Sequence, residues 1–151
     1  MISSFFWSLY ARCYDVLLEF GPYQSMLKRV KAELSLQEEK DYKILDAGCG
    51  TGNLDLILSA KNCAVTAIDF SSAMLERAKK KLAAHESISI RDCDLDKTLP
   101  FPNDYFDRIV TINVLHALPD PVKTLAEFSR VLKSDGQMII ITLKENYQMP
   151  L

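Results

Sequence analysis

Lys43-Ile44-Leu45-Asp46-Ala47-Gly48-Cys49-Gly50-Thr51-Gly52-Asn53 is the stretch on which the fold turns. Ile44 and Leu45 are consecutive and apolar, as expected of a central strand covered on both faces. Gly48, Gly50 and Gly52 alternate, so the backbone there can take positive φ and let a ligand approach the main chain. A helix beginning after Gly52 would aim its free N–H groups at whatever sits in that turn. The stretch therefore predicts strand, glycine-rich turn and helix in succession, with Asp46 at the strand's end.

The rest of the chain repeats that alternation. Cys63 to Phe70 reads as a second apolar strand ending on Asp69, and Ser71 or Ser72 can cap the helix that carries Met74, Leu75, Ala78 and Leu82. Ile88, Ile90 and on to Cys93 form a weaker third strand that runs into the acids Asp92, Asp94 and Asp96. Leu99-Pro100-Phe101-Pro102-Asn103-Asp104 is turn-rich. Phe106 to Asn113 predicts a fourth strand, Pro119-Asp120-Pro121 the start of a helix, and Met138 to Ile141 a fifth strand after the Asp135-Gly136 turn. Strands alternating with helices predict an α/β fold: a doubly wound, mainly parallel, Rossmann-like sheet of about five strands.

Residues 1–40 precede that core. Phe5, Phe6, Leu9, Cys13, Val16, Leu17 and Phe20 fall at helical spacing, and Gly21-Pro22 breaks this helix before a second one that carries Tyr23, Met26, Leu27, Val30 and Leu34. The division expected is N-terminal helices over 1–40, as a lid or on the substrate side, and a cofactor-binding core over 41–151.

Composition narrows the function classes. The 151 residues are 48% apolar and 25% charged, ordinary for a globular domain, and the net charge of −2 gives no electrostatic case for nucleic acid as the partner. No apolar run approaches the roughly 20 residues a membrane span requires. Cys13, Cys49, Cys63 and Cys93 lack C-x-x-C pairing and histidine partners at ligand spacing. They read as reduced thiols of a cytoplasmic protein, with no zinc site and no disulfide framework.

In a doubly wound sheet the ligand lies outside the carboxyl ends of the strands, so Asp46, Asp69, Asp94 and Thr111 to Asn113 are the polar residues to weigh. Asp69 lies 19 residues after Gly50, close to the ~20-residue spacing at which a carboxylate grips ribose hydroxyls. Two features argue against NAD. The third fingerprint glycine would fall on Asn53, and Asp46, just before the glycines, would be poor company for a pyrophosphate. A carboxylate at that place suits a ligand with a positive group, an ammonium or sulfonium. No Gly-Lys-Ser/Thr follows, which excludes a P-loop.

Ile44-Leu45-Asp46-Ala47-Gly48-Cys49-Gly50-Thr51-Gly52 resembles the first motif of class I S-adenosylmethionine-dependent methyltransferases, and Asp69-Phe70-Ser71-Ser72-Ala73-Met74-Leu75 resembles their second. Leu99-Pro100-Phe101 with Phe106-Asp107, then Val114-Leu115-His116, is similar to the region between third and fourth strands of the type 11-like, small-molecule branch. The resemblance covers roughly residues 40 to 144. It implies S-adenosyl-L-methionine as cofactor and S-adenosyl-L-homocysteine as product. It further implies that the backbone of Gly48, Cys49 and Gly50 passes under the methionine part, with Asp46 near its ammonium. Asp69 would hold the ribose diol, Phe70 and Met74 would border the adenine, and Asp94 with the Leu95 N–H would meet its amino group; Asp92 is the alternative to Asp94. Thr111 would sit against the methionine end, and Tyr14 resembles the tyrosine that covers the cofactor in many relatives.

Methyl transfer from a sulfonium is an in-line displacement that chiefly demands positioning, so no catalytic residue is assigned. Asp107 reads as a turn or capping residue, His116 as a packed or hydrogen-bonded structural histidine, and His85 as a surface residue. The function expected is methyl transfer to a small-molecule or lipid-like acceptor, with a catalytically silent binding or partner subunit as the alternative. Relatives carry a further helix and an antiparallel strand pair after the fifth strand, whereas this chain stops at Leu151. The core is therefore expected to be C-terminally incomplete, with an apolar edge at Met138 to Thr142 that a second copy or a partner chain would cover.

Overall fold

A computed structural model describes residues 21–38, 40–59 and 63–142. The expected helix over residues 2–20, with Tyr14, lies outside the described residues. The order is α1 (Gly21–Glu33), β1 (Tyr42–Ala47), α2 (Asn53–Leu58), β2 (Cys63–Asp69), α3 (Ser72–Lys81), β3 (Ile88–Asp92), β4 (Phe106–Ile112), a 3-10 turn at Leu115–Ala117, α4 (Pro121–Val131) and β5 (Leu132–Ile141). The five strands form one parallel sheet in the order β3-β2-β1-β4-β5. The order reverses beside β1, which puts the switch point between the carboxyl ends of β1 and β4. Among the described residues no helix is long and apolar enough to cross a membrane.

Strand alternation sorts the core onto two faces. Ile44, Val65 and Val110 point towards α1 and α2, where they pack with Leu27, Val30, Leu34, Leu54 and Leu58. Leu45, Ile68 and Ile109 point the other way, towards Phe128 and Val131 of α4 and towards Leu95, Leu99 and Phe101. α3 packs Leu75 against Ala67 and Cys49. The helix starts follow local chemistry. Ser71, rather than Ser72, caps α3 by accepting from the Met74 N–H at 3.4 Å. Asp120 caps α4 by accepting from the Lys123 N–H at 3.0 Å, with Pro121 in the first turn. α2 starts on Gly52 without a side-chain cap.

β5 differs from its expected extent. It begins at Leu132, directly after α4, and pairs Leu132 with Phe106 before the next aligned pair, Gln137 with Arg108. Two steps along β4 thus match five along β5, and residues 133–136 bulge outward. Asp135-Gly136, expected as a turn before the strand, lies inside it in this bulge. A Cβ on Gly136 would stand 2.9 Å from the Lys133 carbonyl oxygen, so the bulge closes only around a glycine. β5 is one edge of the described sheet, with Ile140 40% exposed.

Asp107 is neither a turn nor a helix-capping residue. Buried at the start of β4, it accepts from the Lys43 N–H at 2.9 Å and from the Lys133 ammonium at 2.8 Å, tying β1 and β5 to β4. Burial opposes its charge, but these two donors hold its carboxyl below the usual carboxylate range. A second network fixes the connection into β4. Glu127 accepts from both Arg130 nitrogens at 2.8 and 2.9 Å and from the Leu99 N–H at 2.8 Å, while Arg130 also reaches the Leu99 and Phe101 carbonyl oxygens. The Arg130 guanidinium, then the Leu99 N–H, lower the Glu127 carboxyl from 4.5 to about 2. A carboxyl depressed in the folded state stabilises the fold above its unfolded pKa and loses that contribution as pH falls towards the folded one. The melting temperature should therefore drop between pH 4.5 and about 2. In Glu127→Gln that acid limb should be visibly shallower; melts across this range check it, and identical limbs would contradict the assignment.

Candidate functional site

Three elements converge at the carboxyl end of β1. The turn after β1 carries Gly48, Gly50 and Gly52, all at positive φ (82°, 55° and 82°). Gly48 and Cys49 both donate their N–H to the Ile68 carbonyl oxygen, at 2.8 and 2.9 Å, which pins the turn against the end of β2. Asp69, the last residue of β2, completes the clasp: one carboxylate oxygen accepts from the Gly50 N–H and the other from the Ser71 N–H, each at 2.9 Å. Burial raises the Asp69 carboxyl and these backbone donors work against that rise, with Asp92 pushing it up again. Each Asp69 oxygen keeps a further lone pair, so the carboxylate can hold the turn and still accept from a ligand hydroxyl.

Asp46 lies beneath the turn, 3% exposed. In register it is flanked by Ala67 and Val110, so β2 and β4 offer it no polar partner. Its carboxyl faces Asp55 of α2, which is fully buried. Counted as a carboxylate, Asp55 has no donor for either oxygen. The two carboxyls are joined only when one of them carries a proton. Burial raises Asp46 well above the ordinary range, with Asp55 and then Asp69 adding to the rise. Burial likewise pushes Asp55 up to about 7, against the lowering effect of its bond to Asp46 and of Lys81. Sequence reasoning passed over Asp55. The signal was present in Leu54-Asp55-Leu56-Ile57-Leu58, an acid inside an apolar helical run one turn from the glycines. Cys49 is an inert thiol here: burial, then Asp46, Asp55 and Asp69, push its ionisation up.

The remaining expected residues divide. Phe70 is 51% exposed beside Asp69, a free apolar face at the mouth, whereas Met74 is buried under α3 with its N–H held by Ser71. Asp94 is half-buried, accepts from the Asp96 N–H at 3.0 Å and faces Lys97 at 3.4 Å. Leu95 is buried, its carbonyl oxygen taken by the Thr124 hydroxyl. Asp92 is exposed and paired in register with Asp69. Thr111 is fully buried with no partner for its hydroxyl, and alternation along β4 puts it on the face opposite Asp46. Asn113, just beyond β4, holds φ of 57° and donates its N–H to the Ile141 carbonyl oxygen at 2.7 Å. His116 is exposed on the 3-10 turn, which corrects the expectation of a packed histidine: that turn buries none of its residues. His85 is partly exposed on the segment that turns back between α3 and β3. No group of three or more metal-ligating side chains occurs among the described residues.

A groove of about 550 Å³ opens elsewhere, between α1 and β5, lined by Met26, Val30, Ile139 and Ile141 among others. It contains none of these residues. The site at the turn is a shelf, half-open at Gly48, Gly50 and Asp69.

This arrangement fits a nucleoside that ends in a positive group. Asp69 at the end of β2 keeps lone pairs for further donors, Phe70 leaves an apolar ring exposed, and the buried Asp46 and Asp55 under the glycine-rich turn need a cation or a proton.

The comparisons with known proteins bear on the fold and the family. Residues 45–140 match the methyltransferase domain family, well over half of the chain. The demethylmenaquinone methyltransferase of Staphylococcus aureus is 34% identical over 128 residues, covering 83% of this chain and 52% of that protein. The phosphatidylethanolamine N-methyltransferase of Cereibacter sphaeroides is 34% identical over 102 residues, covering 66% of this chain and 49% of that protein. The crystal structure of a SAM-dependent methyltransferase from Aquifex aeolicus superposes with a TM-score of 0.69 at 26% identity, over 82% of this chain and 69% of that one. The chain spans about half the length of the curated relatives it matches. On sheet order, turn and sequence together, this chain belongs to the class I S-adenosylmethionine-dependent methyltransferase family.

Proposed function

We propose that these residues form the cofactor-binding core of an enzyme that transfers a methyl group from S-adenosyl-L-methionine to a small-molecule or lipid-like acceptor. The observation that carries the reading is the row of acids along one sheet end, Asp46, Asp69 and Asp94, around a turn that Asp69 itself holds closed. Asp69 would take the ribose diol, Asp46 the ammonium, and the Gly48-Cys49-Gly50 backbone the methionine part. Phe70 and Met74 would border the adenine, with Asp94 and the Leu95 N–H at its amino group, and Thr111 would sit towards the methionine end. Tyr14 remains the proposed cover over the cofactor. The bound cofactor supplies an activated methyl on a good leaving group. The chain's part is to fix the line of attack and keep water out. The acceptor class follows the relatives, which are named for a quinone and a phospholipid. The free thiols of Cys49, Cys63 and Cys93 suit a cytoplasmic setting.

A second reading, a cofactor-binding subunit without activity of its own, draws on β5 forming one edge of the described sheet with Ile140 exposed. A partner chain or second copy would then cover that edge. Titration calorimetry with S-adenosylmethionine, S-adenosylhomocysteine and NAD, followed by transfer of labelled methyl into a metabolite extract, tests both. Saturable binding of the two sulfur nucleotides and not NAD, with label incorporated, is expected. Binding without incorporation would favour the subunit reading. A folded chain that binds neither sulfur nucleotide would overturn the cofactor assignment.

A further inference from the structure

We infer that Asp55 is a positioning residue for the ligand's ammonium group: it shares one proton with Asp46, and the pair in that state carries the single negative charge that an ammonium requires. The inference rests on the cofactor reading above and goes beyond it, because the turn motif accounts for Asp46 and not for Asp55.

The geometry is specific. Asp55 is wholly buried in α2, and both of its oxygens lack donors. Asp46, at the end of β1 and almost wholly buried as well, is its side-chain hydrogen-bond partner. Two adjacent carboxylates in such a place cannot both ionise, and two neutral carboxyls would leave a cation nothing to bind. The intermediate state, one proton held between them, satisfies one orphaned oxygen and leaves the pair one negative charge beneath the turn. The titratable neighbours are few. Asp69 faces the pair from β2 and Cys49 from the turn. Lys81 of α3 lies within electrostatic reach of Asp55, but its ammonium is engaged by the Thr51 hydroxyl and the Asn53 side-chain oxygen at 3.1 and 2.5 Å. Lys31 of α1 ends on the Ile57 carbonyl oxygen. On β4 the neighbour of Asp46 in register is Val110, without charge.

The proton balance follows. At low pH the free pair holds two protons, and a ligand ammonium expels one to solvent as it binds. Ligand binding should therefore weaken as pH falls, by up to about tenfold per unit for one proton. With burial pushing the Asp55 carboxyl up to about 7, affinity for S-adenosylhomocysteine should fall several-fold from pH 7.5 to pH 6.

The test is calorimetry on the full chain at several pH values. S-adenosylhomocysteine is compared with 5′-methylthioadenosine, which has the same adenosine but no ammonium. Wild type should lose affinity for the first and not the second. In buffers of different ionisation heat, it should release close to one proton at pH 6 with the first ligand only. Asp55→Asn gives Asp46 a permanent neutral donor and should flatten the pH profile to less than about twofold. Equal pH dependence for both ligands, or no proton release in wild type, would overturn the inference even if the variant failed to fold. An unchanged profile in Asp55→Asn would do the same. Failure of both ligands to bind at any pH would instead sink the cofactor reading, and this inference with it.

Discussion

Asp69→Ala should lower the affinity for S-adenosylhomocysteine by at least about 100-fold. The carboxylate would accept two hydrogen bonds from the ribose diol, and hydrogen bonds to a charged group contribute about 1.5–3 kcal/mol each. Losing both gives about 3 kcal/mol or more, and 1.4 kcal/mol is tenfold. The substitution also acts on the fold, because the Gly50 and Ser71 N–H groups lose their acceptor together. Each such orphan costs about 1–3 kcal/mol when it stays dry, and less where water reaches it. A lower melting temperature should therefore accompany the binding loss. Asp69→Asn separates the two effects. It keeps one acceptor oxygen for the turn but presents an amide donor towards the other N–H and the diol. Its binding should fall between wild type and alanine. Calorimetry and thermal melts on both variants check this. Binding within threefold of wild type in a folded Asp69→Ala would remove Asp69 from the site.

Gly48→Ala should destabilise the protein by about 2–5 kcal/mol, the largest loss of stability expected from adding one methyl group here. A side chain at φ of 82° meets its own backbone, which costs about 1–2 kcal/mol. The new Cβ would also stand 2.2 Å from Val114 Cγ2, far inside contact distance. Overpacking of that kind costs about 1–3 kcal/mol. Val114 cannot simply rotate aside, since a β-branched side chain has one strongly preferred rotamer in a given backbone. It also packs among Leu115, Leu118 and the cluster on the α4 face of the sheet. The Val114→Ala, Gly48→Ala double variant should recover the steric part and keep the backbone part, about half of the loss. Chemical denaturation of Gly48→Ala, of the double variant and of Val114→Ala alone measures the split. If Gly48→Ala proved as stable as wild type, the turn could not have the conformation described.

What was legible in the sequence was local. Apolar periodicity in Ile44-Leu45, Cys63 to Ile68 and Phe106 to Ile112, with glycine and proline between, specified five strands and their helices. Three spaced glycines specified a turn that side chains would not tolerate. The strand-end positions of Asp46 and Asp69 followed from pattern alone, because alternation and strand length are properties of neighbouring residues. What the tertiary structure decided were the contacts between distant residues. No spacing rule says that Asp69 closes the turn through the Gly50 N–H, that Lys133 reaches Asp107, or that Arg130 holds Leu99. The start of β5 at Leu132 required β4 as a template, since residues 133–136 look like a connection until Phe106 pairs across from Leu132. Asp55 is the sharpest case. In sequence it is one acid in an apolar helix, which could as well face water. Only when α2 packs onto β1 does its carboxyl come to rest against Asp46, where burial makes a shared proton cheaper than two charges.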